Sequence, residues 1–270
     1  MPATQEQKGE AFRALHEGEP FVIPNPWDAG SARMLEALGF QALATTSSGF
    51  AFTLGKLDGK VSLDEVAAHV AALDAATELP VSVDLENGYA ASADHAAAAI
   101  RRVATAGAVG GSIEDWDPVE QRIYDFDHAV ERVGAAATVA IELGFPFTFT
   151  ARAENHIRGR DDLDDTIARL QAFERAGADV LYAPGLKTVD QIRAVCNAVS
   201  KPVNVLAFSN LSFAEIAEAG AQRVSVGGAL TWVAVKAAAD AASAMRQGDF
   251  SALAARVPVG EWLREDEGRG

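Results

Sequence analysis

Residues 176–182 read Ala176-Gly177-Ala178-Asp179-Val180-Leu181-Tyr182: a helical stretch stops at a glycine and passes without a linker into a short apolar run. Glycine supplies the left-handed conformation that ends a helix and turns the chain back. The same joint recurs as Ala37-Leu38-Gly39-Phe40, as Ala106-Gly107-Ala108 after Thr105, and as Ala219-Gly220-Ala221, each just ahead of a β-rich run. Such runs lie at 21–24, 42–46, 81–84, 110–113, 147–151, 179–182, 202–206 and 223–226, separated by stretches of helical apolar spacing. Parallel neighbours need a crossover helix. Eight strands alternating with helices therefore predict an α/β fold, a (β/α)8 TIM-type barrel. A doubly wound open sheet is the structural alternative, but no Gly-x-Gly-x-x-Gly follows the first strand, so dinucleotide binding has no support.

The chain has 270 residues, 49% of them hydrophobic, and no linker-like or single-sign charged run divides it. One barrel domain spanning 1–270 is expected, with 229–270 as a C-terminal helical extension: an Ala-rich helix at 229–246, then a tail carrying Phe250, Trp262 and Leu263 that needs a surface to cover. The formal net charge of −15 repels phosphate backbones and anionic membrane surfaces. Neither nucleic acid nor membrane is an expected partner. The first ten residues are polar, and no run of 18 apolar residues occurs, so a soluble, cytoplasmic protein is expected. The single cysteine, Cys196, excludes an internal disulfide and a thiolate metal cluster; set among Val189, Ile192 and Val195, it reads as a packed thiol of a helix.

In a barrel the chemistry sits at the C-terminal strand ends. Those ends deliver Asn25 to Asp28, Thr45 to Gly49, Asp84-Leu85-Glu86-Asn87-Gly88-Tyr89, Glu114-Asp115, Arg152-Ala153-Glu154-Asn155, Tyr182, Asn204, and Ser225 before Gly227-Gly228. The ring is rich in carboxylates and almost free of histidine. Hard oxygen donors without imidazole or thiolate favour Mg²⁺ or Mn²⁺ over Zn²⁺. Asp84 and Glu86 alternate about Leu85 and can share a face, although a solvated loop after a strand has the same pattern. Glu114 is the better-phased member of its pair, and Asp115 suits a loop cap. Arg152 follows a β-like run, where a buried guanidinium is costly unless carboxylates or a bound anion compensate it; an ion pair with Glu114 or Glu86 also fits. His156 is expected to be a solvated loop residue, and His16, His69, His95 and His128 surface or packing residues of helices. Gly227-Gly228 suits either a phosphate at a helix start or a tight joint.

Ser31-Ala32-Arg33 with Gly39-Phe40, Val83-Asp84-Leu85-Glu86-Asn87-Gly88-Tyr89, Ser112-Ile113-Glu114-Asp115 and Ala151-Arg152 together resemble the isocitrate lyase/phosphoenolpyruvate mutase superfamily, in order and spacing over most of the chain. The resemblance implies Mg²⁺ and a 2-oxo acid or its enolate at the strand ends, with Asp84, Glu86 and Glu114 as the metal set; the family usually has Asp where this chain has Glu86. It further implies an active-site role for Asp58, a loop around Ser47 and Ser48 whose amides hold a substrate carboxylate, and pairing of Arg152 with the substrate. Thr46 and Asn204 join Ser47 and Ser48 as expected substrate contacts, and Tyr89 joins Asp58 as a candidate for moving protons. Barrels of that family commonly swap their last helix within dimers, often assembled into tetramers, so a homodimer or homotetramer is implied.

The chain also departs from the pattern. The lyases carry a cysteine-bearing gating loop after the fourth strand; here residues 116–124 read Trp-Asp-Pro-Val-Glu-Gln-Arg-Ile-Tyr. The Lys and Asn/Ser or Thr that handle the phosphoryl group in the mutases are missing there, and Ala183-Pro184 stands where those enzymes carry a histidine. What survives is a core for stabilising an enolate. The expected activity is a Mg²⁺-dependent carbon–carbon lyase cleaving or decarboxylating a small 2-oxo or 2-hydroxy dicarboxylate. P–C bond chemistry on phosphonopyruvate or phosphoenolpyruvate, or plain binding of a 2-oxo acid, are the other readings.

Overall fold

The computed structural model describes residues 2–263; the end of the expected extension, 264–270, lies outside them. The strands are β1 (Phe21–Ile23), β2 (Leu43–Ala44), β3 (Val81–Asp84), β4 (Gly110–Glu114), a small antiparallel hairpin of β5 (Trp116–Asp117) and β6 (Arg122–Ile123), then β7 (Thr148–Arg152), β8 (Val180–Tyr182), β9 (Val203–Leu206) and β10 (Arg223–Ser225). Apart from the hairpin, eight strands form one parallel sheet in the order β1-β10-β9-β8-β7-β4-β3-β2. The helices are α1 (Gln5–Leu15), α2 (Ala29–Ala37), α3 (Ser47–Thr53), α4 (Leu63–Ala76), α5 (Ala93–Ala104), α6 (Phe126–Glu142), α7 (Leu163–Arg175), α8 (Val189–Ala198), α9 (Phe213–Glu218), α10 (Ala229–Met245) and α11 (Val259–Trp262). This is a (β/α)8 barrel, as expected, and each predicted strand run has its counterpart.

The joints behave as the sequence suggests. Gly107, Gly177 and Gly220 have φ of 107°, 107° and 108°, a region that side chains with a Cβ avoid. At Gly220 a Cβ would also lie 2.9 Å from the Cβ of Cys196, so the helix carrying that cysteine packs directly on the joint.

The two end strands, β1 and β2, close the barrel without a ladder between them. One backbone bond, Ala44 N to Pro24 O at 3.1 Å, crosses the seam. Asn25 supplies the rest: its Nδ2 donates to Ala44 O (3.1 Å) and Thr45 O (3.0 Å), and its Oδ1 accepts from Val226 N (3.0 Å). A buried side-chain amide thus ties three strand ends together where the sheet's own pairing stops.

Three elements differ from the sequence reading, each for a physical reason. The polar first ten residues hide the start of α1, of which only the helical stretch around His16 was expected; its inward residue Phe12 is fully buried in a cluster with Phe21, Ile23, Ala42 and Val109 and plugs the N-terminal end of the barrel. β2 is shorter than 42–46 because Thr46 leaves the sheet to cap α3, its Oγ1 accepting from Gly49 N. The segment 116–124 contains the β5–β6 hairpin, with Asp117 Oδ1 holding the amides of Val119 and Glu120. At the C-terminus, α11 lies against α2 of the same barrel. By contrast α10 buries only Thr231 and leaves Trp232 44% and Val233 68% exposed. Among the described residues no helix is long and apolar enough to cross a membrane.

Candidate active site

The parallel register sets Glu114 of β4 beside Arg152 of β7, and Arg152 beside Tyr182 of β8. Asp84 ends β3 on the far side of β4. Arg152 is the hub of these ends. Its Nη1 donates to Asp84 Oδ1 (2.7 Å), and its Nη2 meets Glu114 Oε2 (2.9 Å) and Glu154 Oε1 (2.8 Å). Its guanidinium carbon stands 5.3 Å from the centre of the Tyr182 ring. Burial works against this charge, but Glu154, Glu114 and Asp84 outweigh it and raise the pKa further. The expected ion pair with Glu114 is present, and Asp84 rather than Glu86 is its second strand-end partner.

A second arginine shares the same acids. Arg158 gives Nη2 to Glu114 Oε1 and Nε to Glu154 Oε2, both at 3.0 Å, and its guanidinium carbon lies 4.5 Å from the Trp116 ring centre. Burial first and Glu154 second push the Glu114 carboxyl well above the usual carboxylate range, against the pull of both arginines. Asp115 is spent on structure, as the cap reading expects: Oδ1 accepts from Glu154 N (2.8 Å) and Oδ2 pairs with Arg169 (3.0 Å).

Glu86 and Tyr89 both adopt left-handed backbone, with φ of 48° and 64°. Strain of this kind in residues with a Cβ persists only where surrounding structure holds it, and it gathers at functional sites. Burial, then Asp84 and Asp58, raise the Glu86 carboxyl to about 7. Asp58 sits on an exposed stretch, but its carboxyl leans inward. Enclosure and Asp84 raise its pKa, while a hydrogen bond from Ser47 lowers it. The Tyr89 hydroxyl is buried with no hydrogen-bond partner among the described residues. Burial and the surrounding carboxylates hold its pKa above the ordinary phenol value, so it stays a proton donor near neutrality.

Two cavities flank these residues. An inner one of about 150 Å³ is lined by Ser47, Ser48, Asp84, Arg152, Asn204 and Arg223, with Thr46 at its wall. An outer one of about 360 Å³ is lined by Glu86, Tyr89 and Tyr124. Thr46 and Asn204 both reach the inner cavity with their polar atoms already engaged: Thr46 in capping, and Asn204 by giving Nδ2 to Ser225 Oγ (3.0 Å) and accepting from Arg223 Nε (2.8 Å). Ser47 N lies 3.4 Å from Asp84 Oδ2. The expected substrate contacts thus share one small cavity, while Glu86 and Tyr89 face the adjoining one.

The donor set suits a hard divalent cation. Asp58, Asp84 and Glu86 are oxygen donors, the carboxyls of Asp58 and Glu86 are both raised by burial first and by the neighbouring carboxylates after it, and the buried Tyr89 hydroxyl lacks a hydrogen-bond partner among the described residues. Among the described residues, however, no three such groups converge closely enough to chelate an ion unaided. The arrangement fits a Mg²⁺ that keeps several of its waters.

His156 corrects the sequence reading. Its side chain is 3% exposed, with Nδ1 3.0 Å from Asp161 Oδ1 and Nε2 buried without a partner. The turn after β7 folds it inward against Gly185, so it is not a solvated loop residue. Two arginines were not singled out by sequence: Arg158, hidden because its acids lie four and 44 residues away, and Arg223, whose inward phase with Ser225 on a short strand is the only clue.

The sequence profile of the phosphoenolpyruvate phosphomutase family matches residues 12–246. An uncharacterized protein of Mycobacterium tuberculosis (strain ATCC 25618 / H37Rv) is 34% identical over 248 residues, 91% of this chain and 92% of that protein. An oxaloacetate decarboxylase of Bradyrhizobium sp. (strain ORS 278) is 28% identical, covering 88% of this chain and 85% of its own. The crystal structure of a Burkholderia cenocepacia J2315 protein, provisionally described as a lyase/mutase, superposes with a TM-score of 0.93 at 51% identity, covering 97% of both chains.

Proposed function

The chain belongs to the isocitrate lyase/phosphoenolpyruvate mutase superfamily of lyase and mutase enzymes, and from there we propose that it is a Mg²⁺-dependent carbon–carbon lyase. Its substrate is a small 2-oxo or 2-hydroxy dicarboxylate, cleaved or decarboxylated through an enolate. The observation that carries this reading is the convergence of Asp84 and Arg152 with Ser47 and Ser48 on one 150 Å³ cavity at the C-terminal strand ends. That volume suits a small acid and little more. Asp84, Glu86 and Glu114 would hold Mg²⁺, which when bound supplies positive charge for the enolate oxygen.

The chain's own residues do the remaining work. Ser47 and Ser48 orient the carboxylate beside the 2-oxo group. Arg152, fixed by three acids, holds Asp84 and Glu114 in place and stabilises negative charge on the substrate. Tyr89 and Asp58, both raised in pKa, are the candidates for giving a proton to the departing carbanion. The oxaloacetate decarboxylase relative supports a carbon–carbon reaction, and the gating segment, without a cysteine or a lysine, offers neither the lyase acid nor a phosphoryl-binding set. For assembly, the exposed Trp232 and Val233 of α10 support a homodimer or homotetramer in which a second subunit covers them.

A panel of 2-oxo and 2-hydroxy acids, led by oxaloacetate, assayed with Mg²⁺ for pyruvate-type products, tests the reading. Saturable binding without turnover of any member would leave a 2-oxo acid binding protein instead. Release of phosphate from phosphonopyruvate would move the chemistry to the P–C bond.

A further inference from the structure

Arg223 opens β10 at the floor of the inner cavity and is 5% exposed. Its guanidinium reaches into the barrel interior: Nε donates to Asn204 Oδ1 (2.8 Å), Nη2 donates to Thr150 Oγ1 (3.0 Å), and Nη1 lies 3.2 Å from His16 Nε2. All three partners are neutral. Burial first, and the charge of Arg223 second, hold His16 down at about 3, so the imidazole carries no charge near neutral pH. A guanidinium has more N–H groups than these three contacts use.

The other buried arginines show what is missing. Arg152 faces three carboxylates, and Arg169 pairs with Asp115 and Asp165. Arg132 is wrapped by the main-chain carbonyls of Asn87, Ala90 and Ala91, and it lines none of the cavities beside the site. Arg223 alone among these lines the inner cavity without a carboxylate partner. An enclosed, uncompensated charge opposes folding strongly, so its persistence at a cavity floor calls for an anion arriving from the cavity. Arg152, whose N–H edges are taken by Asp84, Glu114 and Glu154, is a poor receptor for that anion.

We propose that Arg223 is the specificity-determining residue for the substrate's second carboxylate, which it receives at the cavity floor, so that the site selects a dicarboxylate over the corresponding monocarboxylate. The proposal rests on the reading of this cavity as a 2-oxo or 2-hydroxy acid site. Arg223 would be supported in that task by Asn204 and Thr150, which fix two edges of the fork and leave the remaining N–H groups for a bidentate grip.

The test measures calorimetric affinities in Mg²⁺ for two pairs differing by one carboxylate, malate against lactate and oxaloacetate against pyruvate, with the wild type, Arg223→Gln and Arg223→Lys. The wild type is expected to prefer the diacid in at least one pair by about tenfold or more, the effect of a charge-assisted hydrogen bond. Arg223→Gln should erase that preference by weakening the diacid about tenfold or more beyond any effect on the monoacid, and Arg223→Lys, which keeps the charge but not the fork, should fall between. If Arg223→Gln does not fold, the reduced preference of Arg223→Lys decides. An undiminished preference in a folded variant, or equal weakening of diacid and monoacid, overturns the role of Arg223 while the cavity assignment stands. Binding of none of the four acids by the wild type overturns the cavity assignment and the proposal with it.

Discussion

Arg152 on β7 and Asp84 on β3 meet at 2.7 Å across the end of the intervening β4. The contact spans two strand spacings, and it joins the residue proposed to stabilise substrate charge to one proposed to hold the metal. Changing either one takes a charged partner from the other.

Arg152→Lys should therefore lower kcat/KM by one or more orders of magnitude. Lysine keeps the charge but cannot hold Asp84, Glu114 and Glu154 at once, and the loss corresponds to about 1.5–3 kcal/mol of charge-assisted hydrogen bonding. Steady-state kinetics on the best substrate check this. An unchanged rate removes Arg152 from the chemistry and leaves it a purely structural hub.

Metal dependence gives a second expectation. Excess chelator should abolish turnover, and Mg²⁺ or Mn²⁺ should restore it while Zn²⁺ does not. Asp84→Asn should weaken the Mg²⁺ activation constant while the protein remains folded by circular dichroism. Full activity in chelator would dismiss the metal altogether.

Glu86 predicts a pH dependence of stability. Its folded-state pKa of about 7 lies above the ordinary value of 4.5, so between these values the folded protein binds more protons than the unfolded chain. The contribution of Glu86 to stability is therefore present at low pH and lost as pH rises from about 4.5 through 7, by on the order of 1–3 kcal/mol. Glu86→Gln should flatten that decline in chemical denaturation curves measured from pH 5 to 8. Mg²⁺, favouring the ionised carboxylate, should stabilise the wild type most at the alkaline end. An identical slope in wild type and variant would show that Glu86 is not the titrating group.

Cys196 lies on α8, on the outer layer of the barrel, and burial pushes its thiol up to about 11. Cys196→Ser should be kinetically silent. Without a cysteine in the β5–β6 segment to protonate a departing carbanion, cleavage of isocitrate or methylisocitrate should be slower by about 10²–10⁴-fold than an enzyme with a positioned acid achieves. Efficient glyoxylate release from isocitrate would mean that Tyr124 or another group supplies the proton.

The barrel could be read from the chain because its information is local: Gly107, Gly177 and Gly220 each need a left-handed turn, and each is followed at once by a strand. The acids at the strand ends were visible for the same reason. Their pairing was visible only in part: an Arg152–Glu114 ion pair was among the readings, but Asp84 as a further partner was not. Asp84 and Glu114 have the same sequence signature whether they face a cation or a guanidinium, and only the register of β4 against β7 shows that Arg152 stands between them. Arg158 and His156 lie in a turn whose path is set by Asp115 and Gly185, residues far off in sequence, so neither exposure nor partner followed from their neighbours. α1 was legible only as the helical stretch around His16, because its inward contact is chiefly Phe12, without the longer apolar stripe that usually announces a helix.

Saturation mutagenesis would find Asn25 as demanding as a residue of the reaction centre. The position must donate twice and accept once, in a fixed fan, to stand in for a ladder that β1 and β2 lack. Aspartate loses the donors, serine loses the reach, and alanine strands three main-chain groups. A fitness map would therefore score Asn25 as intolerant as Arg152, and a reader of that map alone would enrol a fastener among the reacting groups.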